Sequence, residues 1–270
     1  MDAQHLLKGK RGLIMGVAND HSLAWGIAQE AAQQGAELAF TYQGDMLLKR
    51  VKPLAESVGS SFLIPCDVSS DEDIERAFSE IKKKWGKLDF VVHAIAFSDR
   101  KELQGPYYNT SRENFKVALD VSCYSFTAVC KEAQALMQEG GSLITLTYYG
   151  SEKVVPQYNV MGVAKAALES SVRYLAADLG ERGIRVNSLS SGPVKTLAAS
   201  AVGDFKKMLK WGQQHTPLRR NITLQDVGRS ALYLLSDLSS GVTGENIHVD
   251  SGHHVIGMAR LDAPLQNEAS

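Results

Sequence analysis

The sequence predicts one α/β domain built on a doubly wound parallel sheet of about seven strands, with helices on both faces. Short apolar blocks of strand length alternate with longer stretches of helical period, the rhythm of parallel strands joined by crossover helices. A glycine-bearing turn follows the first block directly and opens into a helix, as at the first junction of such a sheet. No internal repeat, low-complexity linker or shift in composition divides the chain, so residues 1–270 are read as a single dinucleotide-binding catalytic domain.

The elements follow in order. Arg11 to Met15 is the first strand. Ser22 to Gln34 is a helix, with Ser22 as its N-cap and Gly35 as its stop. Glu37 to Tyr42 is a strand and Asp45 to Val58 a helix. Ser61 to Pro65 is the third strand, and Asp71 opens a helix to Trp85 with acidic residues in its first turn. Leu88 to Ile95 is the fourth strand, followed by a long helix from Ser111 to Glu139. Ser142 to Thr147 is the fifth, and Pro156 introduces a second long helix, Gln157 to Gly180. Arg185 to Ser190, a helix from Leu224 to Ser236 and a last strand, Asn246 to Val249, complete the layout. Leu261 to Ser270 reads as a loose polar tail.

Composition narrows the function classes. Apolar residues make up 44% of the chain, ordinary for a globular core. Lys and Arg total 29 against 30 Asp and Glu, without the basic excess of a nucleic-acid binder. Residues 1–10 lack the apolar region of a secretory signal, and no apolar run approaches the ~20 residues of a membrane span. A cytoplasmic protein is expected. Cys66, Cys123 and Cys130 fit no zinc or redox spacing and read as reduced thiols, and His253-His254 has no ligand partner at metal spacing, so no metal is expected.

Chemistry enters at the strand ends. After the first strand, Gly16 would permit close approach of phosphate oxygens while the following helix presents unpaired N–H groups to a pyrophosphate. Gly26 would let that helix pack tightly on the sheet. The spacing is not G-x-G-x-x-G, and a plain tight βα loop is the alternative. The second strand ends at Gln43, neutral and hydrogen-bonding, with no cation there to meet a 2′-phosphate, which favours NADH over NADPH; Lys49 and Arg50 lie further along. Cys66-Asp67-Val68 is placed to receive an adenine amino group, unless Asp67 only caps its loop.

Tyr158 and Lys165, seven residues apart in the expected helix, would share one face with an axial offset of roughly 10 Å. Together they could act on a redox cofactor lying along that helix; an ordinary amphipathic pair is the alternative. Tyr148 follows the fifth strand at the carboxyl end of the sheet, where it could be a second donor or an aromatic wall.

Gly16 to Gly26, Cys66-Asp67-Val68, His93-Ala94-Ile95-Ala96-Phe97, Tyr158 with Lys165, and Ser191-Gly192-Pro193-Val194-Lys195-Thr196 together resemble a short-chain dehydrogenase/reductase with a Rossmann-type fold. The six-residue gap between Tyr and Lys, the long nucleotide turn and Tyr148 upstream of Tyr158 are similar to the bacterial NADH-dependent enoyl-[acyl-carrier-protein] reductases of type II fatty-acid synthesis. Ser191, where that family often has Ala, and Tyr149 are small departures. The resemblance implies pyrophosphate contacts at Gly16, Ser22 and Leu23, a ribose contact at Gln43 and an adenine clamp at Asp67 and Val68. It also implies cofactor contacts at Ile95, Ala96, Val194 and Thr196. Lys165 would hold the nicotinamide ribose and Tyr158 would be the catalytic tyrosine, with Tyr148 beside it. Phe97, Met161, Ala198, Phe205 and Met208 would line the substrate, under a lid of about 197–218. The resemblance further implies an acyl-carrier-protein-linked enoyl substrate and a homotetramer.

The long gap suits that reaction. In carbonyl reduction the hydride lands on the carbon that bears the developing alkoxide, and a Tyr-x-x-x-Lys spacing serves. In reduction of a 2-enoyl thioester the hydride lands on C3 while charge builds on the thioester oxygen, several bonds away. A tyrosine nearly one turn further from the lysine, roughly 5 Å, would reach that oxygen and donate to it as the enolate forms. Protonation at C2 completes the reaction. A carbonyl or alcohol oxidoreductase of the same superfamily is the alternative enzyme. A nucleotide-sensing regulator would be expected to have lost Tyr158 or Lys165. Ala164, Ala166, Ala167, Leu168, Val172, Leu175 and Ala176 form an apolar surplus on the long helices that suggests burial against a second subunit.

Overall fold

Seven strands, all paired in parallel, form one sheet in the order β3-β2-β1-β4-β5-β6-β7: β1 (Arg11–Met15), β2 (Glu37–Tyr42), β3 (Phe62–Pro65), β4 (Phe90–His93), β5 (Gly141–Thr147), β6 (Ile184–Ser191) and β7 (Asn246–Val249). The computed structural model describes residues 5–194 and 205–260, the side chains of residues 205 and 206 excepted. Leu13 and Ile14 explain why β1 reads as an unbroken apolar block. Both are fully buried, but they belong to separate cores on opposite faces of the sheet. A strand covered on both sides has no solvent face to mark with polar residues.

One face is covered by α3 (Asp71–Trp85), α5 (Ser125–Ala133) and α6 (Val160–Leu179), which bring Phe78, Phe126 and Leu168 against Leu13, Val91 and Leu143. The other is covered by α1 (Leu23–Gln33), α2 (Gly44–Ser57) and α8 (Leu224–Leu235), with Ile27, Val51 and Val227 against Ile14, Phe40 and Ile144. Helix ends follow local chemistry. The Ser70 hydroxyl accepts from the Asp73 N–H at the start of α3, three acids fill its first turn, three lysines its last, and left-handed Gly86 stops it. Thr223 and Asp226 form a reciprocal capping box on α8.

The structure corrects several expectations. Gly26 packs against α8 and not against the sheet: a Cβ on Gly26 would lie 2.7 Å from the Leu224 carbonyl oxygen, and one on Gly228 would lie 2.5 Å from the Gly26 carbonyl oxygen. The two glycines face each other where the helices cross. The expected helix from Ser111 to Glu139 is interrupted: α4 (Arg112–Leu119) passes into a π turn at Asp120–Tyr124 before α5, and a 3-10 turn at Gln134–Leu136 ends the segment. β4 ends at His93, so Ile95 lies beyond the strand; the last ladder bond there runs from the Ala94 N–H to the Met15 carbonyl.

The largest local difference concerns Tyr158. α6 begins at Val160, after an N-cap Asn159 with φ 43°, and Gln157 has φ 62°. Tyr158 therefore belongs to the turn ahead of the helix and not to its face. Side chains with a Cβ resist this left-handed conformation, so tertiary contacts must hold it. Asn159 supplies two of them, its Nδ2 donating to the Leu103 carbonyl at 3.2 Å and the Gly105 carbonyl at 3.1 Å.

Candidate active site

The strand order reverses between β1 and β4, and the crevice outside their carboxyl ends is where such sheets take ligands. Gly16 leaves β1 there with φ 99°, so close to β4 that a Cβ would lie 2.2 Å from the Ala94 carbonyl oxygen. Its missing side chain lets the loop hug the sheet. Ser22 occupies the N-cap position of α1, yet its hydroxyl turns back into the loop and accepts from the N–H groups of Ala18 at 3.0 Å and Asn19 at 3.1 Å. No side chain caps α1 and its first turn holds no acid, so its leading amides and Leu23 present a positive end to an anion.

Gln43 and Asp67, at the ends of β2 and β3, are hydrogen-bonded to each other, Nε2 to Oδ2 at 2.7 Å. Asp67 also accepts from the Ser69 N–H at 3.0 Å and hydroxyl at 2.7 Å, so it does cap its own loop while holding Gln43. The Ser69 bonds, with Gln43 adding to them, keep the Asp67 carboxyl below its ordinary range. Val68 is buried beside it. An ionised carboxylate beside a neutral amide is suited to ribose hydroxyls and poorly suited to a 2′-phosphate.

Lys165, in the second turn of α6, is buried, and its Nζ donates to the Leu146 carbonyl at 2.7 Å. An ammonium has three N–H donors, so two remain for a ligand. Burial pushes its pKa down to about 8, against the opposing influence of Cys123 and Glu169. Tyr158 meets Tyr148 edge to face, ring centroids 4.9 Å apart. Burial, with Tyr148 and Glu169 nearby, pushes the Tyr158 phenol above its ordinary value. Tyr148 is likewise pushed up, to about 12, by burial and Asp250. Both phenols are therefore O–H donors throughout the neutral range. The Tyr148 hydroxyl donates to Met208 Sδ at 3.4 Å, while that of Tyr158 has no hydrogen-bond partner among the described residues.

The segment after β4 is tied to the π turn. The Phe97 N–H donates to the buried Ser122 hydroxyl at 3.0 Å, and the ring of buried His93 lies between the hydroxyls of Ser125 at 2.9 Å and Thr145 at 3.3 Å. Burial first, and the Lys165 charge second, push the His93 pKa down to about 3, so the imidazole is neutral. This anchoring leaves Ala96 and Phe97 exposed at the crevice. Met161 is buried in a small cluster with Leu103, Ala118 and Val160, and Tyr158 packs against that cluster. It supports the tyrosine from below.

Val194 packs against the α1 face of the core, and α7 (Phe205–His215) brings Met208 to Tyr148. Of the expected lid, 205–218 is described; Thr196 and Ala198 lie outside the described residues, and so does the side chain of Phe205. Sequence reasoning missed four residues that build the site: Asn159, Ser122, Gly150 and Glu169. A Cβ on Gly150 would fall 2.4 Å from Tyr158 Cδ1, and one on Gly162 would fall 2.6 Å from the Gly150 carbonyl oxygen. Glu169, four residues after Lys165, offered the one usable signal, an acid on the helix face that carries the lysine.

These residues fit a dinucleotide, through the uncapped α1 terminus, the Gly16 loop, the Gln43–Asp67 pair and the spare Lys165 donors. A family model described as enoyl-(acyl carrier protein) reductase matches residues 16–254. The chain is 62% identical, over 97% of its length and 96% of the relative's, to an NADH-dependent enoyl-[acyl-carrier-protein] reductase of Rhizobium meliloti (strain 1021). It is similar to the solved enoyl-(acyl-carrier-protein) reductase of Anaplasma phagocytophilum in complex with NAD, with a TM-score of 0.92 and 57% identity over 96% of this chain and 97% of that one. A Bacillus cereus enoyl-acyl carrier protein reductase solved with NADP+ and an indole naphthyridinone gives a TM-score of 0.92 and 51% identity, over 94% of this chain and 99% of that one.

Proposed function

Because this chain belongs to the enoyl-(acyl carrier protein) reductase family, we propose that it reduces trans-2-enoyl thioesters carried on acyl carrier protein, with Tyr158 donating to the enolate oxygen as it forms. It is an oxidoreductase, and its cofactor is NADH. When bound, NADH supplies the hydride.

The rest falls to side chains of this chain. Tyr158 keeps its proton and holds it as a hydrogen-bond donor toward the thioester oxygen, where negative charge accumulates. Lys165, charged below its pKa of about 8, orients the nicotinamide ribose through the donors that Leu146 does not use. Tyr148 forms the wall beside Tyr158 and reaches the lid helix through Met208. Gly16, Ser22 and Leu23 form the pyrophosphate end, Gln43, Asp67 and Val68 the adenosine end, and Ile95, Ala96, Val194 and Thr196 flank the nicotinamide. Phe97, Met161, Ala198, Phe205 and Met208 line the acyl chain, in one domain with its lid over about 197–218.

The observation that carries this reading is the Tyr158 hydroxyl, without a hydrogen-bond partner among the described residues, held off the start of α6 by the Asn159 turn and backed by Tyr148. The test is NADH oxidation with crotonyl thioester against acetoacetyl thioester. Turnover of the crotonyl substrate well above the acetoacetyl one, and with NADH well above NADPH, is expected. A faster acetoacetyl reaction would make the protein a carbonyl reductase instead.

Assembly as a homotetramer is part of the same reading. Ala164, Leu168, Val172 and Ala176 are buried within the chain itself. Ala166 is exposed, and Phe115, Tyr124, Val163 and Tyr174 add exposed apolar surface on the α4–α6 layer. Sedimentation at a concentration-independent monomer mass would remove it. The described residues contain no helix long and apolar enough to cross a membrane, and no cluster able to hold a metal ion. With three free thiols, we assign the protein to the cytoplasm.

A further inference from the structure

Glu169 stands on α6 one turn beyond Lys165 and reaches back to the segment that carries Tyr148. Its Oε1 accepts from the Thr147 hydroxyl at 2.5 Å and from the Ser151 hydroxyl at 2.5 Å. Thr147 is the last residue of β5, and Ser151 ends the 3-10 turn that follows. Both ends of the loop are thus fastened to one atom, with Tyr148, Tyr149 and Gly150 between them. A carboxyl oxygen has two lone pairs, so this one atom can accept both hydroxyls at once.

The loop in turn fixes Tyr158. Gly150 leaves no room between its backbone and the Tyr158 ring, Gly162 of α6 closes against the Gly150 carbonyl, and the Tyr148 ring meets that of Tyr158 edge to face. A ring enclosed on these sides follows any shift of the loop. Close packing leaves it no independent adjustment.

We propose that Glu169 is a positioning residue for the reaction: its carboxylate pins the loop from Thr147 to Ser151, and thereby sets the direction of the Tyr158 hydroxyl. The inference rests on Tyr158 being the donor. The groups facing the Tyr158–Lys165 pair are Tyr148 from the loop, Cys123 from the π turn, His93 from β4 and Glu169 from α6. Among them, Glu169 raises the proton affinity of both members of the pair.

The test is Glu169→Gln in the full-length protein, with crotonyl thioester and NADH. It is expected to lower kcat by roughly tenfold to a hundredfold, as misplacement of a catalytic group does. NADH affinity, followed by cofactor fluorescence at a pH well below the Lys165 transition, stays unchanged. An alkaline limb of kcat/KM is expected where Lys165, lowered by burial to about 8, loses its proton, and removing the Glu169 charge that raises this pKa is expected to move the limb to lower pH. Wild-type kcat with an unmoved limb would overturn the proposal. Should Glu169→Gln fail to fold, the double variant Thr147→Val/Ser151→Ala keeps the carboxylate and removes its donors; a similar fall in kcat supports pinning, and wild-type kcat overturns it. On a Tyr158→Phe background Glu169→Gln is expected to cost nothing further, and an equal cost on both backgrounds would overturn action through Tyr158. If Tyr158→Phe alone kept full turnover, the reading of the donor would fall, and this inference with it.

Discussion

Tyr158→Phe is expected to lower kcat on an enoyl thioester by about 10²–10³, roughly 3–4 kcal/mol of transition-state stabilisation. The substitution removes one hydroxyl and leaves the packing in place. The ring keeps its edge-to-face contact with Tyr148 at 4.9 Å, its seat against Gly150 and its position above the Met161 cluster. NADH binding and thermal stability should therefore match the wild type, and the loss should appear in kcat, as befits an interaction made mainly in the transition state. Tyr148→Phe is the control. Its hydroxyl is spent on Met208 Sδ, and losing that bond should change kcat by no more than about tenfold. Near-native turnover by Tyr158→Phe, or a larger loss from Tyr148→Phe, would assign the donor to the other tyrosine.

The contrast between these two tyrosines bears on what a sequence discloses. Doubly covered strands and their crossover helices announce themselves by apolar blocks and end signals, so β1, β2, β7 and α3 fall where the pattern puts them. Tyr158 and Lys165 were legible as a pair, but the geometry behind the pair was not. The turn at Gln157–Asn159 is left-handed without a glycine to mark it, and it is held by contacts with Leu103 and Gly105, more than 50 positions away. The π turn at Asp120–Tyr124 is equally silent, because no glycine or proline marks it and it is held by Ser122 and Ser125 reaching Phe97 and His93. Gly26 was visible as a close-approach position, but its partner, Gly228, lies 202 residues further along the chain. Local chemistry gave the elements, and long-range contacts decided how they present the site.

Gly16→Ala carries the second large expectation, in stability and cofactor binding and not in the chemical step. At φ 99° a Cβ is unfavourable in itself, and here it would also be driven to 2.2 Å from the Ala94 carbonyl oxygen and 2.6 Å from its carbon, both backbone atoms of the neighbouring segment. Backbone cannot rotate aside as a side chain does. Conformational strain and overpacking together should cost about 3 kcal/mol or more. Relief requires the loop to lift from β4, which would withdraw the amides leading α1 from the pyrophosphate and weaken NADH binding by at least about tenfold, the equivalent of 1.4 kcal/mol. Gly59→Ala separates the two causes: Gly59 has φ 78°, but a Cβ there would meet nothing within 4 Å. It should lose only the conformational share, about 1 kcal/mol, and bind NADH normally. Denaturant midpoints and cofactor titration of both variants decide the matter. Equal losses would mean that the close approach to Ala94 places no constraint on the nucleotide turn, and that the left-handed backbone alone explains the glycine.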